Sequence, residues 1–494
     1  MPPSLLFYLN GREITVDGND AFQTVAHFVR GLGETGTKLV CEEGDCGSCS
    51  VLVGRPEGDA IVYRPINSCI QFVYQMAGAH IVTVEGIGRR KELHPVQQAM
   101  VACHGAQCGF CTPGFIVAMC SLFESRQNPD EIDVRNALTG NLCRCTGYEP
   151  IIKAAMSVDP ATVRTMNERY PPNNLLPRLR EATHNSLLIE ADRRFFAPVT
   201  VAEAVRFKAD NLGTIIVQGA TDVGVLHNKR GFDPPVVMNL SRIPALREIA
   251  LSAESNPGEA QTLEIGATVT LSELEPFFRE HLPQFARILH LFGAPQIRNA
   301  GTLAGNIANG SPIADTLPFL YVMGASVELT GTAGVRRIGI ESLYLGYRKL
   351  DLRPDEIITR IFLPLPAAGE ILELYKVSKR RHLDISTITA AIRLGQSRDG
   401  VTEARIAFGG VGPTVVRLRA TEQFLIGKTI SRETLRAAGA IAREEISPIS
   451  DVRGSADFRR QLTQNIFSKL YFATDEKERS REDAARVKRD RWVS

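Results

Sequence analysis

Cys41-Glu-Glu-Gly-Asp-Cys46-Gly-Ser-Cys49, with Cys69 following, is the stretch that decides how this chain is read. Its C-x4-C-x2-C…C spacing is the pattern of a loop that holds a [2Fe–2S] cluster, four thiolates around two irons. Gly44 and Gly47 lie between the thiols, where the lack of a Cβ lets backbone N–H groups turn toward the sulfides. A zinc site of four cysteines is the alternative, although zinc more often takes two paired C-x2–4-C knuckles.

A second set follows, Cys108-x2-Cys111 with Cys143-x-Cys145. It gathers four thiolates from the ends of different helices. A tight Cys-x-Cys pair suits a tetrahedral zinc knuckle poorly, but zinc stays open for this set taken alone. No histidines alternate with these cysteines at ligand spacing, which disfavours a Rieske centre. All 10 cysteines fall between Cys41 and Cys145. That segregation points to metal binding or catalysis in a reducing compartment rather than to disulfides. Cys103 and Cys120 sit on apolar helical stripes and are expected to be small buried hydrophobes.

Working outward, Leu5 to Leu9 and Arg12 to Val16 form two strands joined at an Asn10-Gly11 turn, and Thr24 to Arg30 a short helix. With a further strand near Ser50 to Val53, this outlines a ferredoxin-like α+β domain over residues 1–87. Residues 88–160 change character. Pro95, Pro113 and Pro150 each stand at a first helical position and Pro129-Asp130 opens another helix, so a four-helix bundle is predicted. Val96, Met100 and Cys103 form one buried stripe, and Ile116, Met119 or Cys120, and Phe123 another. Residues 161–190, with Pro160 just before them and Pro171, Pro172 and Pro177 within, read as a linker. An α+β domain over 191–368 and a second over 369–480 follow, with a charged tail over 481–494.

Composition narrows the functional classes. The chain has 494 residues, enough for several domains. Its 57 Lys+Arg against 55 Asp+Glu offer no basic stripe for a phosphate backbone, so no nucleic-acid partner is expected. Apolar runs such as Phe115 to Cys120 fall far short of the ~20 residues of a membrane helix. The N-terminus has neither the basic nor the apolar region of a signal peptide, and a cytoplasmic location is expected.

These cysteine motifs, with Gln107-Cys108-Gly-Phe-Cys111-Thr-Pro-Gly114 and Gly140-Asn-Leu-Cys143-Arg-Cys145-Thr-Gly-Tyr148, resemble the two-cluster segment of the xanthine dehydrogenase and aldehyde oxidase family of molybdenum hydroxylases. The resemblance extends along nearly the whole chain. Gln218-Gly219-Ala220-Thr221-Asp222-Val223 is similar to the family's FAD pyrophosphate loop, and its glycine and successive N–H groups suit an anion nest. Phe292, Gln296-Ile-Arg298-Asn299, Thr302-Leu303-Ala304-Gly305-Asn306 and Ser311 to Asp315 resemble the flavin-binding stretch, and Ile358 and Lys376 match two more flavin contacts. Arg380 and Asp384 fall where the family shapes the nicotinamide side. The chain departs from the family at Ala304, where a glycine is common, and at Leu383, where an acidic residue is frequent.

The resemblance implies an α+β multidomain chain: a plant-type ferredoxin-like domain, a helical [2Fe–2S] bundle, a vanillyl-alcohol-oxidase-type FAD domain and a C-terminal α+β flavoprotein domain. It also implies that Cys41, Cys46, Cys49 and Cys69 hold the cluster nearer the flavin, and Cys108, Cys111, Cys143 and Cys145 the one nearer a molybdopterin, which Gln107 approaches. Nothing in this sequence resembles a molybdopterin-binding region. A molybdenum-cofactor-binding large subunit is therefore the expected partner, in an (αβ)2 heterotetramer, with NAD as acceptor and no catalytic residue on this chain. Clusters and flavin in one chain favour hypoxanthine or xanthine as the partner's substrate over an aldehyde or carbon monoxide. A stand-alone electron-transfer flavoprotein and a zinc-stabilised interaction module are the rivals from other classes.

Overall fold

The computed structural model describes residues 4–88, 92–252, 261–367 and 369–474. The predicted charged tail lies outside the described residues. The chain separates into two units: one runs through Pro244 and takes in Gly293–Gly301, and the other comprises Ala245–Phe292 and the chain from Thr302 on.

The first unit begins with the predicted hairpin. Leu5–Leu9 pairs antiparallel with Arg12–Val16, and Asn10 and Gly11 turn at φ of 51° and 80°, the left-handed values that such a two-residue turn requires. His80–Val82, Ser50–Glu57 and Ala60–Asn67 complete a five-stranded sheet. Helix Val25–Gly31 starts at Thr24, whose hydroxyl accepts from the His27 N–H, and it packs into a core with Phe7 and Val51.

Four helices follow, Pro95–Ala102, Thr112–Ser125, Glu131–Ala137 and Glu149–Met156. Three carry proline in the first turn, where the missing N–H would have had no helical partner. The third is capped by Asp130, which accepts from Asp133 N–H at 2.8 Å. Val96, Met100, Ile116, Met119, Cys120 and Phe123 are buried together, as their spacing predicts. Cys103 packs against the same core but is only half-buried, at the end of its helix and 3.5 Å from the Ser157 hydroxyl.

The stretch read as a linker is largely structured. Pro172–His184 is a helix, and it buries Leu175, Leu176 and Leu179 in the bundle core. The prolines mislead here because Pro172 opens the helix, a position that favours proline, and Pro177 is carried inside it. Leu187–Glu190, Arg194–Ala197, Val236–Met238 and Ile215–Ile216 then form a four-stranded sheet, with the loop 217–222 leading from its edge strand into helix Val223–Arg230.

The second unit holds two sheets. Ile249–Leu251, Thr262–Gly266, Ile357–Pro364, Ser326–Gly331 and Gly334–Gly339 form an antiparallel sheet beside helices Leu271–His281, Pro283–Leu291, Leu303–Ala308 and Leu317–Met323. Ile371–Val377, Ile388–Ser397, Gly400–Gly409 and Val416–Arg417 form a meander, backed by Arg432–Glu444 and Ala456–Thr474. No described helix is long and apolar enough to cross a membrane.

Candidate functional site

The loop from Cys41 to Cys49 coils on itself. Glu42, Gly44 and Gly47 adopt φ of 52°, 82° and 68°, and the Cys46 N–H donates to Cys41 Sγ at 3.4 Å. Asn67 spans the loop, donating to the Gly44 carbonyl at 2.7 Å with its other end 3.9 Å from Cys49 Sγ. This brings Cys69, two residues beyond Asn67, to the other three thiols. Cys49 and Cys69 are buried, while Cys41 and Cys46 are half-buried. Hydrogen bonds from Cys46 and Cys69 draw Cys41 well below the ordinary thiol range, and a bond from Cys69 draws Cys49 down. The donors are pushed up by the same bonds, and burial adds to the rise. Four thiols thus share protons, a set that four thiolates around metal would release.

The second set forms where the bundle's helix ends meet. Cys145 and Cys108 stand 3.6 Å apart, both exposed, and Cys111 interacts with Cys143. Burial, followed by the bond to Cys143, pushes Cys111 up to about 12. Burial opposes ionisation of Cys143 most strongly, but bonds from Thr146, Cys145 and Cys111 together lower that thiol. Tyr148, at φ of 71°, accepts from the Cys143 N–H at 3.0 Å. Gln107 is exposed beside Cys108. Among the described residues no three His, Cys, Asp or Glu side chains are grouped as a single-ion site. In the first set Cys69 bonds to both Cys41 and Cys49 and Cys41 also to Cys46, and in the second Cys108 lies against Cys145 and Cys111 against Cys143. Two thiolates to each of two irons is the donor set of a [2Fe–2S] cluster, so both sets fit that group.

The two sets are linked through the backbone: the Leu142 N–H, one residue before Cys143, donates to the Cys46 carbonyl at 3.0 Å. On its other flank the first loop is held by helix Val223–Arg230. Lys229 Nζ donates to the Cys41 carbonyl at 2.5 Å, and Asn228 Nδ2 to the carbonyls of Glu42 and Cys69 at 2.9 and 2.8 Å. Gln71, two residues after Cys69, donates to the Gly219 carbonyl at 2.5 Å, and Gln75 to that of Gln218 at 2.8 Å. The 218–223 loop is therefore braced directly on the first cysteine set. Within it a Cβ on Gly219 would meet the Ala300 carbonyl oxygen at 2.2 Å, and Ala220 sits at φ of 54°. Close backbone, a left-handed residue and the N-terminus of an eight-residue helix make a cradle that fits a pyrophosphate.

In the second unit Thr302 caps helix Leu303–Ala308, accepting from the Gly305 N–H at 2.9 Å. The Leu303 and Ala304 side chains pack in the core, so these two offer a ligand their backbone only. Asn306 accepts from Thr316 at 2.5 Å. Ile358 is buried and Phe292 half-buried against the same core. Lys376 is not a solvated charge. It donates to Asp315 at 2.6 Å, to Ser386 at 2.8 Å and to the Asp384 carbonyl at 2.9 Å, and its side chain is 2% exposed. The Asp384 carboxylate accepts from the Arg380 N–H at 2.8 Å, and the Arg380 guanidinium from its exposed position donates to the Leu383 carbonyl.

Sequence reasoning missed Asn67, Gln71, Asn228 and Lys229. Their partners lie up to 188 residues away, and no local spacing marks them.

Four family models cover most of the chain: "2Fe-2S iron-sulfur cluster binding domain" at residues 7–72, "[2Fe-2S] binding domain" at 83–156, "FAD binding domain in molybdopterin dehydrogenase" at 190–366, and "CO dehydrogenase flavoprotein C-terminal domain" at 373–474. Xanthine dehydrogenase 1 of Arabidopsis thaliana is 32% identical over 94% of this chain, which spans 39% of that relative's length. Among solved structures, the carbon monoxide dehydrogenase of Hydrogenophaga pseudoflava is 29% identical with a TM-score of 0.52, covering 56% of this chain and 94% of its own. Quinoline 2-oxidoreductase of Pseudomonas putida 86 matches at 27% identity and a TM-score of 0.51, with the same coverage of each chain.

Proposed function

Because the chain belongs to the molybdenum hydroxylase family of oxidoreductases, as its iron–sulfur and FAD electron-transfer part, we propose that it is the small subunit of a xanthine dehydrogenase. Its partner is a molybdenum-cofactor-binding large subunit that oxidises hypoxanthine or xanthine, in an (αβ)2 heterotetramer in the cytoplasm, and NAD is the final acceptor. The observation that carries this reading is the series of hydrogen bonds within the first unit: Leu142 to Cys46 on one flank of the first cysteine loop, and Gln71 to Gly219 on the other. That series supports an order in which the loop stands between the bundle set and residues 218–223, the FAD cradle of this reading.

Cys108, Cys111, Cys143 and Cys145 hold the first cluster to receive electrons, and Cys41, Cys46, Cys49 and Cys69 the second. Gln218 to Val223 cradle the FAD pyrophosphate, while Thr302 to Asn306, Phe292, Asp315, Ile358 and Lys376 hold the flavin. When bound, the clusters pass single electrons and FAD converts them to the hydride that NAD accepts. The chain's own residues do the positioning. Asn67 and the Cys46 N–H donate toward the loop, Lys376 fixes Asp315 and Ser386 in one buried network, and Asp384 holds the Arg380 backbone. Arg380 and Asp384 then border the nicotinamide.

A partner that oxidises carbon monoxide or a quinoline is the second reading, favoured by the solved structures that resemble this chain. The test is to purify the chain with whatever binds it and assay molybdenum and xanthine-dependent NAD reduction. Alone, the chain should oxidise NADH with a dye and leave xanthine untouched. Xanthine oxidation by the molybdenum-free chain would overturn the division of labour.

A further inference from the structure

Gln296 stands in a stretch that resembles flavin-binding sequence, yet the structure places its side chain at the junction of the two cysteine sets. Gln296 Nε2 donates to Asn141 Oδ1 at 3.0 Å and lies 3.3 Å from Ser50 Oγ. Asn141 Nδ2 and Ser50 Oγ both donate to the Gly47 carbonyl, at 3.2 and 2.7 Å. The four groups close a ring, and Gln296, Asn141 and Ser50 are 1%, 2% and 3% exposed. Gly47 follows Cys46, Ser50 follows Cys49, and Asn141 precedes the Leu142 whose N–H reaches Cys46.

Three glycines make this approach possible. A Cβ on Gly47 would meet the Gly140 carbonyl oxygen at 2.1 Å, one on Gly114 the Gly47 oxygen at 2.2 Å, and one on Gly140 Gln296 Oε1 at 1.9 Å. The backbones of the loop and the bundle thus approach closely, with the Asn141 side chain bonded beside them. On the opposite flank the loop is held by the long side chains of Lys229 and Asn228. Gln296 Oε1 is buried without a partner, and the residue is held through its Nε2 alone; losing those two bonds would leave further polar groups unpaired in low dielectric, which holds the ring in one arrangement. Here it clamps the peptide on either side of the Leu142 to Cys46 hydrogen bond.

Resting on the reading of this chain as a two-cluster electron carrier, we infer that electrons cross between the cysteine sets through the Leu142 N–H to Cys46 carbonyl hydrogen bond. Gln296 is the positioning residue that holds that crossing at its working length. In the step one electron leaves the site of Cys143, which is oxidised by one, and enters the site of Cys46, which is reduced by one. No covalent bond changes and no proton moves.

The test uses the full chain with its clusters and FAD, photoreduced and then mixed with NAD, with each cluster followed by freeze-quench electron paramagnetic resonance. In the parent chain both cluster signals should decay together. In Gln296→Leu the bundle signal should outlast the other, so that the two no longer decay together, and the magnetic coupling between the two reduced clusters should weaken. Asn141→Ser, which keeps a shorter hydrogen-bonding group, should fall between. Unchanged coupling and decay, with only lower thermal stability or cofactor content, would assign Gln296 a purely structural role and overturn the inference. A parent chain without two cluster signals, or one that NAD does not reoxidise, would instead defeat the underlying reading.

Discussion

Cys49 and Cys69 are buried, whereas Cys108 and Cys145 are exposed, and the two thiol sets differ equally in how the chain builds them. The first is mostly local, a coiled loop of nine residues that Asn67 and Cys69 complete, and it is bonded on one flank by the bundle and on the other by helix Val223–Arg230. The second is assembled from helix ends, and the bonds at Cys143 come from its near neighbours Thr146 and Tyr148. Burial and hydrogen bonding are among the features that set a cluster's potential and its accessibility. On the proposed reading, the contrast separates an internal relay from a site that a donor outside the chain can reach.

The sharpest test of that contrast is ligand removal. Cys143→Ser should abolish one of two cluster signals and half of the iron, block xanthine-dependent NAD reduction in the complex, and spare most NADH-to-dye activity. Cys69→Ser should abolish the other signal and cut both activities, since on the proposed reading electrons pass its site on the way to the flavin. If either change left both signals intact, or if zinc replaced iron in elemental analysis, the ligand assignment would be wrong.

Gly219→Leu comes next in size. Its Cβ would collide with the Ala300 carbonyl, so FAD content should fall to a small fraction while both cluster signals persist. Stoichiometric FAD in the purified variant would remove the 218–223 loop from the flavin site.

Two glycine changes compare the sites at finer scale. Gly47→Ala forces a residue at φ of 68° against the Gly140 oxygen, while Gly109→Ala, at φ of 79°, meets nothing within 4 Å. The second should cost only the backbone strain, on the order of 1–3 kcal/mol. The first should cost more and perturb both cluster signals, because Gly47 joins the two sets. Equal thermal stability and equal spectra would show that the junction is less tightly built than its distances indicate.

The smallest effect concerns Glu124, in the last turn of helix Thr112–Ser125, the end opposite Cys111. Burial raises its carboxyl to about 7, although it accepts the Met166 N–H at 2.7 Å. Between the unfolded value of 4.5 and about 7 the folded chain binds more protons than the unfolded one, so stability falls as pH rises through that window. Glu124→Gln should abolish that fall and stabilise the bundle above it by about 1–3 kcal/mol, read as a pH-dependent difference in melting temperature. A parallel pH profile in both proteins would place Glu124 in water.

Much of the site was legible in sequence because its chemistry is local. Cysteine spacing marked both thiol sets, Asn10-Gly11 the first hairpin, and the prolines three of the bundle's helix starts. Proline misled at 171–177 because the same residue that ends one helix opens another, and only the burial of Leu175, Leu176 and Leu179 reveals which occurs. Cys103 is less buried than its stripe implied because helical periodicity holds only while the helix continues, and this helix ends there.

By itself the sequence determined which residues carry the chemistry: thiols at fixed intervals, a glycine where backbone must approach, and capping residues that start helices. Each of these acts over a few residues, so spacing alone reports it. Only the tertiary structure decided what stands beside them. Gln71 on Gly219, Lys229 on Cys41, Lys376 on Asp315 and Gln296 on Asn141 join residues 61 to 188 positions apart. Such pairings leave no periodic trace, because they depend on how whole elements pack and on which buried polar groups must then find a partner.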